Sequence, residues 1–387
     1  MSWLLDESHL PDLARGATLL GTGGGGDPYI GRLLVQQAIR EHGPITILDP
    51  DELDDDAFVI PTAMMGAPTV MVEKIPRGSE PVVALRRLEA HLGRTADATM
   101  PIECGGINSM MPLLVAARTG LPVVDADGMG RAFPELQMET FSVYGVHGSP
   151  MVVASDREET VLIETGADDV RMERLSRAVT VQFGGAALIA EYPMSGADVK
   201  RTAVPRTLSL ALGAGRTIRE ARERHDDPVE ALRTFLATTI YRNLRVLFHG
   251  KVSDVERRTT GGFARGSAEV RGYHGATLTL RFQNEHLLAT RDGDVVCVVP
   301  DLICVLDDTT GEPVTTEGLR YGQRVVVVAI STPDLMRTPE ALATFGPAAF
   351  GLDVAFTPVE ELVPFDYSEI DGSGVSVSGV SEVALVP

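Results

Sequence analysis

A turn of five glycines and one threonine, residues 21–26, is the segment of this chain that most directly indicates a binding site. Glycine leaves backbone N–H groups unshielded and allows positive φ, and the Asp27-Pro28 pair that follows is typical of a helix start. Amides at such a start can hold an anion or a polar oxygen. No Gly-Lys-Ser/Thr follows the turn and no clear strand precedes it, which argues against a nucleotide loop. The residues expected to bind a small molecule here are Thr22, Gly23, Gly24, Gly25, Gly26 and Asp27. The alternative is a tight crossing of backbones under a helix.

A second polar segment follows a predicted strand that ends at Glu103. In open α/β sheets ligands bind at the carboxyl ends of strands, so we expect Glu103 and Asn108 to face a ligand. The alternative is that Asn108 or Ser109 is only the N-cap of the next helix. Cys104 lies between them, but no base or positive partner is evident in sequence, which favours a buried structural thiol over a nucleophile.

A third segment places two carboxylates after the apolar pair Val123-Val124. Asp125 and Asp127 are two residues apart, and such residues point the same way in an extended chain. One could activate water while the other stays ionised, or the two could hold a divalent ion. Arg131 could bind a carboxylate with two hydrogen bonds. The alternative is an acidic turn with an internal salt bridge.

Weaker candidates lie further along the chain. They are His147, the Asn284-Glu285-His286 triplet in the β-rich region, and the polar turn of residues 257–262. An isolated histidine is more often structural than catalytic. His and Cys residues nowhere have zinc-ligand spacing, and the chain has no Gly-x-Ser-x-Gly elbow.

The elements that must position these residues alternate between helix and strand in the first half. Helices are predicted at 6–20, 28–42, 80–93 and 109–119, and strands at 45–48, 57–60 and 122–125, with further β-type runs at 151–164 and 178–190. This order predicts a mostly parallel sheet with helices on its faces. Two helices, 206–222 and 228–246, are expected next, and then short strands that predict a small barrel or sandwich. We expect an α/β domain at 1–200, a helical connection at 201–246, a β-rich domain at 247–355 and a low-complexity tail at 356–387.

Composition narrows the function classes. The net charge of −20 over 387 residues argues against nucleic acid as a partner, which would require clustered Lys and Arg. Three cysteines give no disulfide framework and fit a reducing compartment. The N-terminus does not read as a signal peptide, and no stretch of 18 apolar residues predicts a membrane span. We therefore expect a cytoplasmic protein that does not associate with membranes.

Five segments, taken together and in order, resemble the S-methyl thiohydantoin desulfurase-like family, long known as a domain of unknown function. They are residues 20–31, 101–109, 125–135, 254–263 and 300–306. The resemblance covers about residues 5–355. It implies an N-terminal three-layer α/β domain and a C-terminal β-barrel-like domain. It also implies hydantoin-type five-membered rings as substrates, with hydrolysis of an S-methyl thiohydantoin to a hydantoin and methanethiol as the named activity.

Our hypothesis from the sequence is therefore a hydrolase. Asp125 or Asp127 would act as the base, Glu103 as the proton donor, and the amides of residues 23–26 would hold a ring carbonyl or its developing charge. Asn108 and Arg131 would orient the substrate.

Two other functions stay open at this stage. One is a non-catalytic subunit of a hydantoinase- or oxoprolinase-type enzyme. The other is a metal-dependent cyclic amidohydrolase with Asp125, Asp127 and His147 as ligands. The hydrolase would need either no cofactor or a divalent metal, and we expect a homo-oligomer.

Overall fold

The computed structural model describes residues 1–66, 70, 77–260, 263–272 and 275–362. Its α-helices are α1 Leu10–Leu20, α2 Tyr29–His42, α3 Glu80–Leu92, α4 Met111–Thr119, α5 Thr140–Val143, α6 Asp169–Gln182, α7 Gly196–Thr202, α8 Thr207–Arg224, α9 Pro228–Leu236 and α10 Pro339–Phe345. Its strands are β1 Trp3–Leu5, β2 Ile45–Leu48, β3 Phe58–Gly66, β4 Ala98–Met100, β5 Val123–Val124, β6 Ala126–Asp127, β7 Met151–Ala154, β8 Thr160–Ile163, β9 Ala186–Ala190, β10 Met194–Ser195, β11 Val204–Pro205, β12 Leu244–Thr260, β13 Phe263–Arg271, β14 Thr277–Gln283, β15 Glu285–Arg291, β16 Asp294–Val298, β17 Leu302–Asp307, β18 Pro313–Val314 and β19 Arg324–Ile330.

The N-terminal sheet is mixed. Its centre is the parallel run β2, β5, β4 and β3. Strand β1 pairs antiparallel with β2 at one edge, and β9, β7 and β8 continue antiparallel beyond β3. The expectation of a mostly parallel sheet thus holds for the centre alone, because β7 and β8 form a hairpin and β9, which follows α6, pairs antiparallel with both β7 and β3.

Strand β3 shows why both faces of this sheet are covered. Its residues are buried in an almost continuous run, as expected for a strand between two helical layers. Ile60 belongs to a hydrophobic cluster with Leu88 of α3, whereas Val59 belongs to another with Val199 of α7. Alternate side chains therefore point to opposite helical layers.

The C-terminal sheet has eight antiparallel strands in the order β16, β15, β14, β13, β12, β19, β17 and β18. The long strand β12 bends through two irregularities, at Val246/Phe248 and Val252/Asp254. Within the described residues no pairing joins β16 to β18, so the sheet is antiparallel as expected but a closed barrel is not shown. Leu19 of α1 shares a hydrophobic cluster with Leu302 and Val326, which ties this sheet to the N-terminal part.

Two predicted elements are confirmed only in part, since α9 and β9 form within the expected stretches but neither fills its stretch. The helix expected at 228–246 ends at Leu236, and β12 already begins at Leu244 within the stretch expected to be a helical connection. The apolar spacing continued past Leu236, but the segment Thr238-Thr239-Ile240 is β-branched and makes a turn instead. Residues 178–182 belong to α6 and not to a strand.

Other expectations about elements are confirmed. Helices α1, α2, α3, α4 and α8 lie where the spacing predicted them, and Gly120 ends α4 with a φ of 79°. The domain boundaries at 200, 246 and 355 stay predictions. Residues 261–262 of the polar turn and 363–387 of the tail lie outside the described residues.

Candidate functional site

A small pocket opens where the two sheets meet. The end of β3, the loop after β4, the segment 129–136 and the start of β15 all contribute to its wall. Its water-accessible volume is about 50 Å³, where one water needs about 10–15 Å³ by the same measure. The pocket therefore suits a small ring better than a nucleotide.

Glu103 lies in this wall, as the sequence predicted. It follows β4 and is 4% exposed. Its Oε1 accepts a hydrogen bond from Asn108 Nδ2 at 2.8 Å and its Oε2 accepts one from the Phe133 amide at 3.3 Å. Burial raises the pKa of Glu103 well above its usual range, and the charge of Glu285 raises it further. The carboxyl group is thus held in place, and its surroundings favour the protonated form.

Glu285 is the second carboxyl group of the pocket, and it comes from the other sheet. It begins β15 and is 2% exposed. Its Oε1 accepts from the Gly25 amide at 3.2 Å, while no atom of the described residues bonds to its Oε2. Burial raises its pKa to about 8, although the positive charge of Arg131 opposes this shift. Glu285 therefore changes its charge near neutral pH.

The glycine turn builds the pocket indirectly. Gly25 is the residue of the turn that lines the pocket, and its amide is bonded to Glu285. A Cβ atom on Gly24 would lie 2.1 Å from Glu285 Oε1, and one on Gly106 would lie 2.2 Å from the Gly25 carbonyl oxygen. The turn thus crosses another backbone closely, as the packing alternative predicted, and it also positions a carboxylate.

The remaining residues of the turn have structural partners. The Thr22 carbonyl accepts from the His286 amide and the Gly23 carbonyl accepts from Thr316, which joins the turn to the C-terminal sheet. Asp27 accepts from the Tyr29 amide at the start of α2. Direct ligand binding by Thr22, Gly23, Gly24, Gly26 and Asp27 stays a prediction, since the pocket wall does not include them.

Asn108 lies in the pocket wall and locks two elements together. Its Oδ1 accepts from the Met64 amide at 2.8 Å, and its Nδ2 donates to Glu103 as described and to the Met64 carbonyl. The N-cap position of α4 is Met110, so the alternative role of Asn108 as an N-cap is wrong. It fixes the end of β3 and the orientation of Glu103.

Asp125 and Asp127 lie away from the pocket wall. Asp125 accepts from the amide and the hydroxyl of Ser209 in α8. Asp127 accepts from the amides of Cys104 and Gly130. Burial raises the pKa of both, to about 7 for Asp127. The geometry gives both side chains positions that hold turns together, and the catalytic roles expected for them stay predictions.

Arg131 is fully buried and makes contacts across the two sheets. Its guanidinium donates to the Thr22 hydroxyl and to the carbonyl oxygens of His286 and Asp301. These bonds engage the guanidinium group that the sequence suggested for binding a carboxylate. Arg131 therefore orients the turn and β15, and its contact with substrate stays a prediction.

The weaker candidates have structural surroundings. Burial raises the pKa of the Cys104 thiol well above its usual range, as expected for a structural cysteine. His147 pairs with Asp169 at 3.2 Å, and Arg257 donates to the carbonyl oxygen of Leu319. Burial lowers the pKa of His286 to about 4, so this residue is a neutral part of the core.

No group of three or more His, Cys, Asp or Glu side chains in the described ranges is arranged to hold a metal ion. The ligand set Asp125, Asp127 and His147, which the sequence left open, is thus not brought together. Within the same ranges no helix has the length and apolar character of a membrane span.

Sequence reasoning gave Glu285 too little weight. The Asn284-Glu285-His286 triplet drew attention to its histidine rather than to its carboxylate. Glu285 is also 182 residues from Glu103 in the sequence, so their proximity in the fold could not be predicted from spacing. The signal available in the sequence was Asn284, because Asn is one of the residue types that tolerate positive φ, and in the structure its φ of 58° marks the corner before β15. The methionines of the wall, Met64, Met65 and Met129, also gave no signal of their own.

Comparisons with known proteins agree with this architecture. The model of the S-Me-THD-like N-terminal domain matches residues 8–165, and that of the S-Me-THD-like C-terminal domain matches residues 167–359. A crystal structure of a protein from Chromobacterium violaceum is similar, with a TM-score of 0.79 and 26% identity over 92% of this chain and 100% of that one. A search of curated proteins finds no match. Since the two domain models together account for nearly the whole chain, this protein belongs to the S-Me-THD-like family.

Proposed function

We propose that this protein hydrolyses the carbon–sulfur bond of an S-methyl thiohydantoin, giving the hydantoin and methanethiol. The observation that carries the proposal is the pair Glu103 and Glu285, two buried carboxyl groups with raised pKa values in the wall of one small pocket. Two such groups can divide the roles of general acid and general base.

The wall of the pocket suits the sulfur-bearing part of such a substrate. Met64, Met65 and Met129 contribute soft, polarisable thioether groups next to the carboxyl pair. Methionine adapts its shape to small apolar groups. We therefore place the S-methyl group against these methionines and the ring carbon that bears it next to the carboxyl pair.

The roles follow from the surroundings of each carboxyl group. Glu285 Oε2 has no hydrogen-bond partner among the described residues, and a pKa of about 8 lets Glu285 ionise near neutral pH, so it acts as the base toward water. Glu103 stays protonated and acts as the acid toward the ring nitrogen. Asn108, held by Met64, keeps Glu103 oriented.

The reaction then proceeds in two balanced steps. In the first, Glu285 takes a proton from water, the oxygen adds to the carbon of the C=N bond, and Glu103 protonates the nitrogen. In the second, the C–S bond breaks, Glu285 returns its proton to the departing methanethiolate, and Glu103 takes the hydroxyl proton as the new C=O forms. Both carboxyl groups end in their starting states.

Thiol release by the purified full-length chain tests this function. We expect methanethiol from S-methyl thiohydantoins, and a fall in kcat of about a hundredfold or more in Glu285→Gln and in Glu103→Gln, the usual range for loss of a general acid or base. Glu89→Gln is the matched control, because Glu89 is also buried but belongs to α3, away from the pocket wall, with its oxygens bonded to Arg86 and the Ala96 amide. Absence of thiol release from folded protein, or wild-type rates in both variants, would overturn the proposal.

The other expectations from the sequence remain as proposals. They are a homo-oligomer, a cytoplasmic location and a partnership with a hydantoinase- or oxoprolinase-type enzyme. Copurification and the molar mass in solution test the first and the last.

A further inference from the structure

A group of buried oxygens without donors lies behind the pocket, outside the machinery described above. Both carboxylate oxygens of Glu139 and both of Glu191 are buried, and within the described parts of the chain no atom forms a hydrogen bond to any of them. Both residues are 0% exposed. The hydroxyl of Thr140, next in sequence to Glu139, is also buried without a partner among the described residues.

The two glutamates come from different elements that lie side by side. Glu139 precedes α5, and Glu191 follows β9. The next ring on each element, Phe141 and Tyr192, are 5.5 Å apart, and the Tyr192 hydroxyl donates to the Leu136 carbonyl at 2.9 Å. The residue 136–141 segment and the end of β9 are therefore packed together, and each carries one of the two glutamates, near enough for the charge of Glu191 to act on Glu139.

The surroundings of the pair are acidic. The charges that act on Glu139 come from Glu191, Asp127, Glu103 and Asp169, and those that act on Glu191 come from Glu173 and Asp169. Burial, followed by these charges, raises the pKa of both groups well above the usual range. The basic side chains nearby are already engaged, since Arg177 pairs with Glu173 and His147 pairs with Asp169.

Burying two carboxyl groups without hydrogen-bond donors is costly in free energy unless their charge is neutralised. An ionised carboxylate without a partner in a protein interior costs several kcal/mol. Protonation would remove the charge, but each acid would then carry an O–H group that needs an acceptor. No hydrogen bond joins the two carboxyl groups in the described structure. A positive ion between them would satisfy the charge and the oxygens together.

We propose that Glu139 and Glu191 bind a hard divalent cation, of the magnesium and calcium class, in an interior site behind the pocket. Carboxylate and neutral oxygens are the ligands that these ions prefer, and such ions commonly complete their shell with water. Two carboxylates balance the charge of one divalent ion. The Thr140 hydroxyl is the neighbouring neutral oxygen available to it.

The site would support the pocket wall rather than enter the reaction. Glu139 lies against Gly128, where a Cβ atom would meet its Oε2 at 1.8 Å, and the Gly128 amide donates to the carbonyl of Ile102 at 2.9 Å. Ile102 precedes Glu103 and lines the pocket. Leu136, bonded to Tyr192, lines it as well. A bound ion would thus fix two parts of the wall at once.

Calorimetric titration and thermal unfolding of chelator-treated protein test the proposal. We expect binding of one Ca²⁺ or Mg²⁺ ion per chain and a rise in Tm of about 3 °C or more when the ion is present at about a hundred times its Kd. In Glu139→Gln and Glu191→Gln the affinity should fall at least about a hundredfold and the rise in Tm should vanish. Elemental analysis of the wild-type chain, purified without chelator, is a second measurement that does not depend on the folding of variants.

Glu80→Gln is the matched control. Glu80 is also 0% exposed, but its two oxygens accept from the Arg77 and Gly78 amides, so this variant should keep the full response to the ion. Two results would overturn the proposal. One is no ion bound at millimolar concentration with both variants as stable as the wild type, which would show a protonated pair. The other is ion binding that neither variant weakens, which would place the ion elsewhere. Neither result depends on whether the protein releases thiol.

Discussion

Glu103 and Glu285 are similar in burial but differ in what holds them. Glu103 has hydrogen-bond donors on both oxygens, whereas Glu285 has one oxygen bonded to Gly25 and one without a partner in the described chain. Because like charges in one pocket resist a second ionisation, the two groups titrate as a coupled pair. The first proton is lost near the pKa of about 8 that burial gives Glu285.

The activity should therefore depend on pH in a defined direction. Glu285 must be ionised to act as a base, so we expect kcat/KM to rise with pH up to about 8. Activity should fall again at higher pH, where Glu103 loses the proton that it donates. The measurement is the rate of thiol release between pH 5.5 and 9.5, and a rate that stays flat from pH 6 to 8.5 would contradict the assignment of the base.

Asp125→Asn and Asp127→Asn separate a chemical role from a structural one. Because both side chains accept bonds from backbone amides or from Ser209, we expect each variant to lose about 1–3 kcal/mol in the free energy of unfolding, with kcat within a few-fold of the wild type. Denaturant unfolding and single-variant kinetics measure the two quantities. A hundredfold fall in kcat with unchanged stability would instead support the base role that the sequence suggested.

At the scale of elements, the turn between α1 and α2 carries the contacts that join the two sheets. It touches residues 105–106 on one side and β15 on the other, and its conformation requires glycine at close approaches. The same loop supplies the Gly25 amide that holds Glu285. The glycine turn, which the sequence suggested as a cradle for a ligand, thus positions the Glu285 carboxylate.

Gly24→Ala tests this link. The added methyl group would meet the end of the flexible Glu285 side chain rather than backbone, so the fold can adapt while the carboxylate cannot keep its position. We expect kcat to fall about tenfold or more, with a loss of at most about 1–2 kcal/mol in stability. A variant that is fully active and as stable as the parent would show that the position of Glu285 does not depend on this turn.

For the whole molecule, buried acids connect stability to pH. Glu285 has a pKa of about 8 in the fold against 4.5 ordinarily, and Asp127 has about 7 against 3.8. Between these values the folded chain keeps protons that the unfolded chain has released. The stabilisation that these retained protons give the fold is complete below the pKa of the group in the unfolded chain. It is lost as the pH rises through the pKa of the group in the folded chain.

We accordingly expect the free energy of unfolding to decrease from about pH 5 to pH 8, by up to about 1.4 kcal/mol per pH unit for each such group. Urea unfolding at fixed ionic strength measures it. Glu285→Gln, which cannot ionise, should make the decrease shallower. Stability that rises over this range would show that these carboxyl groups are not protonated in the fold.

Local features of this molecule were predictable from the sequence, and long-range ones were not. The glycine turn, the Asp27–Tyr29 hydrogen bond at the start of α2, the end of α4 at Gly120 and the position of Glu103 after a strand all depend on residues close in sequence. The strand itself ends at Met100 and not at Glu103 as expected. The assignment of Asp125 and Asp127 assumed one extended strand. The chain instead leaves β5 at Asp125 and forms β6 with β11, so the two side chains diverge.

Glu285 shows the other limit of sequence reasoning. Its role depends on how the C-terminal sheet lies against the turn, which is fixed by the shared core of α1, β17 and β19 and by the contacts of buried Arg131. No spacing in the sequence encodes that meeting. The end of α9 is a similar case. The apolar spacing continues beyond Leu236, but the residues from Leu244 onward belong to β12, which pairs with both β13 and β19.

Glu103 and Glu285 lie in different halves of the chain, and this has a consequence for fragments of the protein. Glu103 lies in the part matched by the N-terminal family model, which ends at residue 165, and Glu285 lies in the part matched by the C-terminal one, which begins at 167. In the proposed mechanism the acid and the base would therefore lie on different pieces of a chain divided at residue 166, and neither piece alone would carry both carboxyl groups.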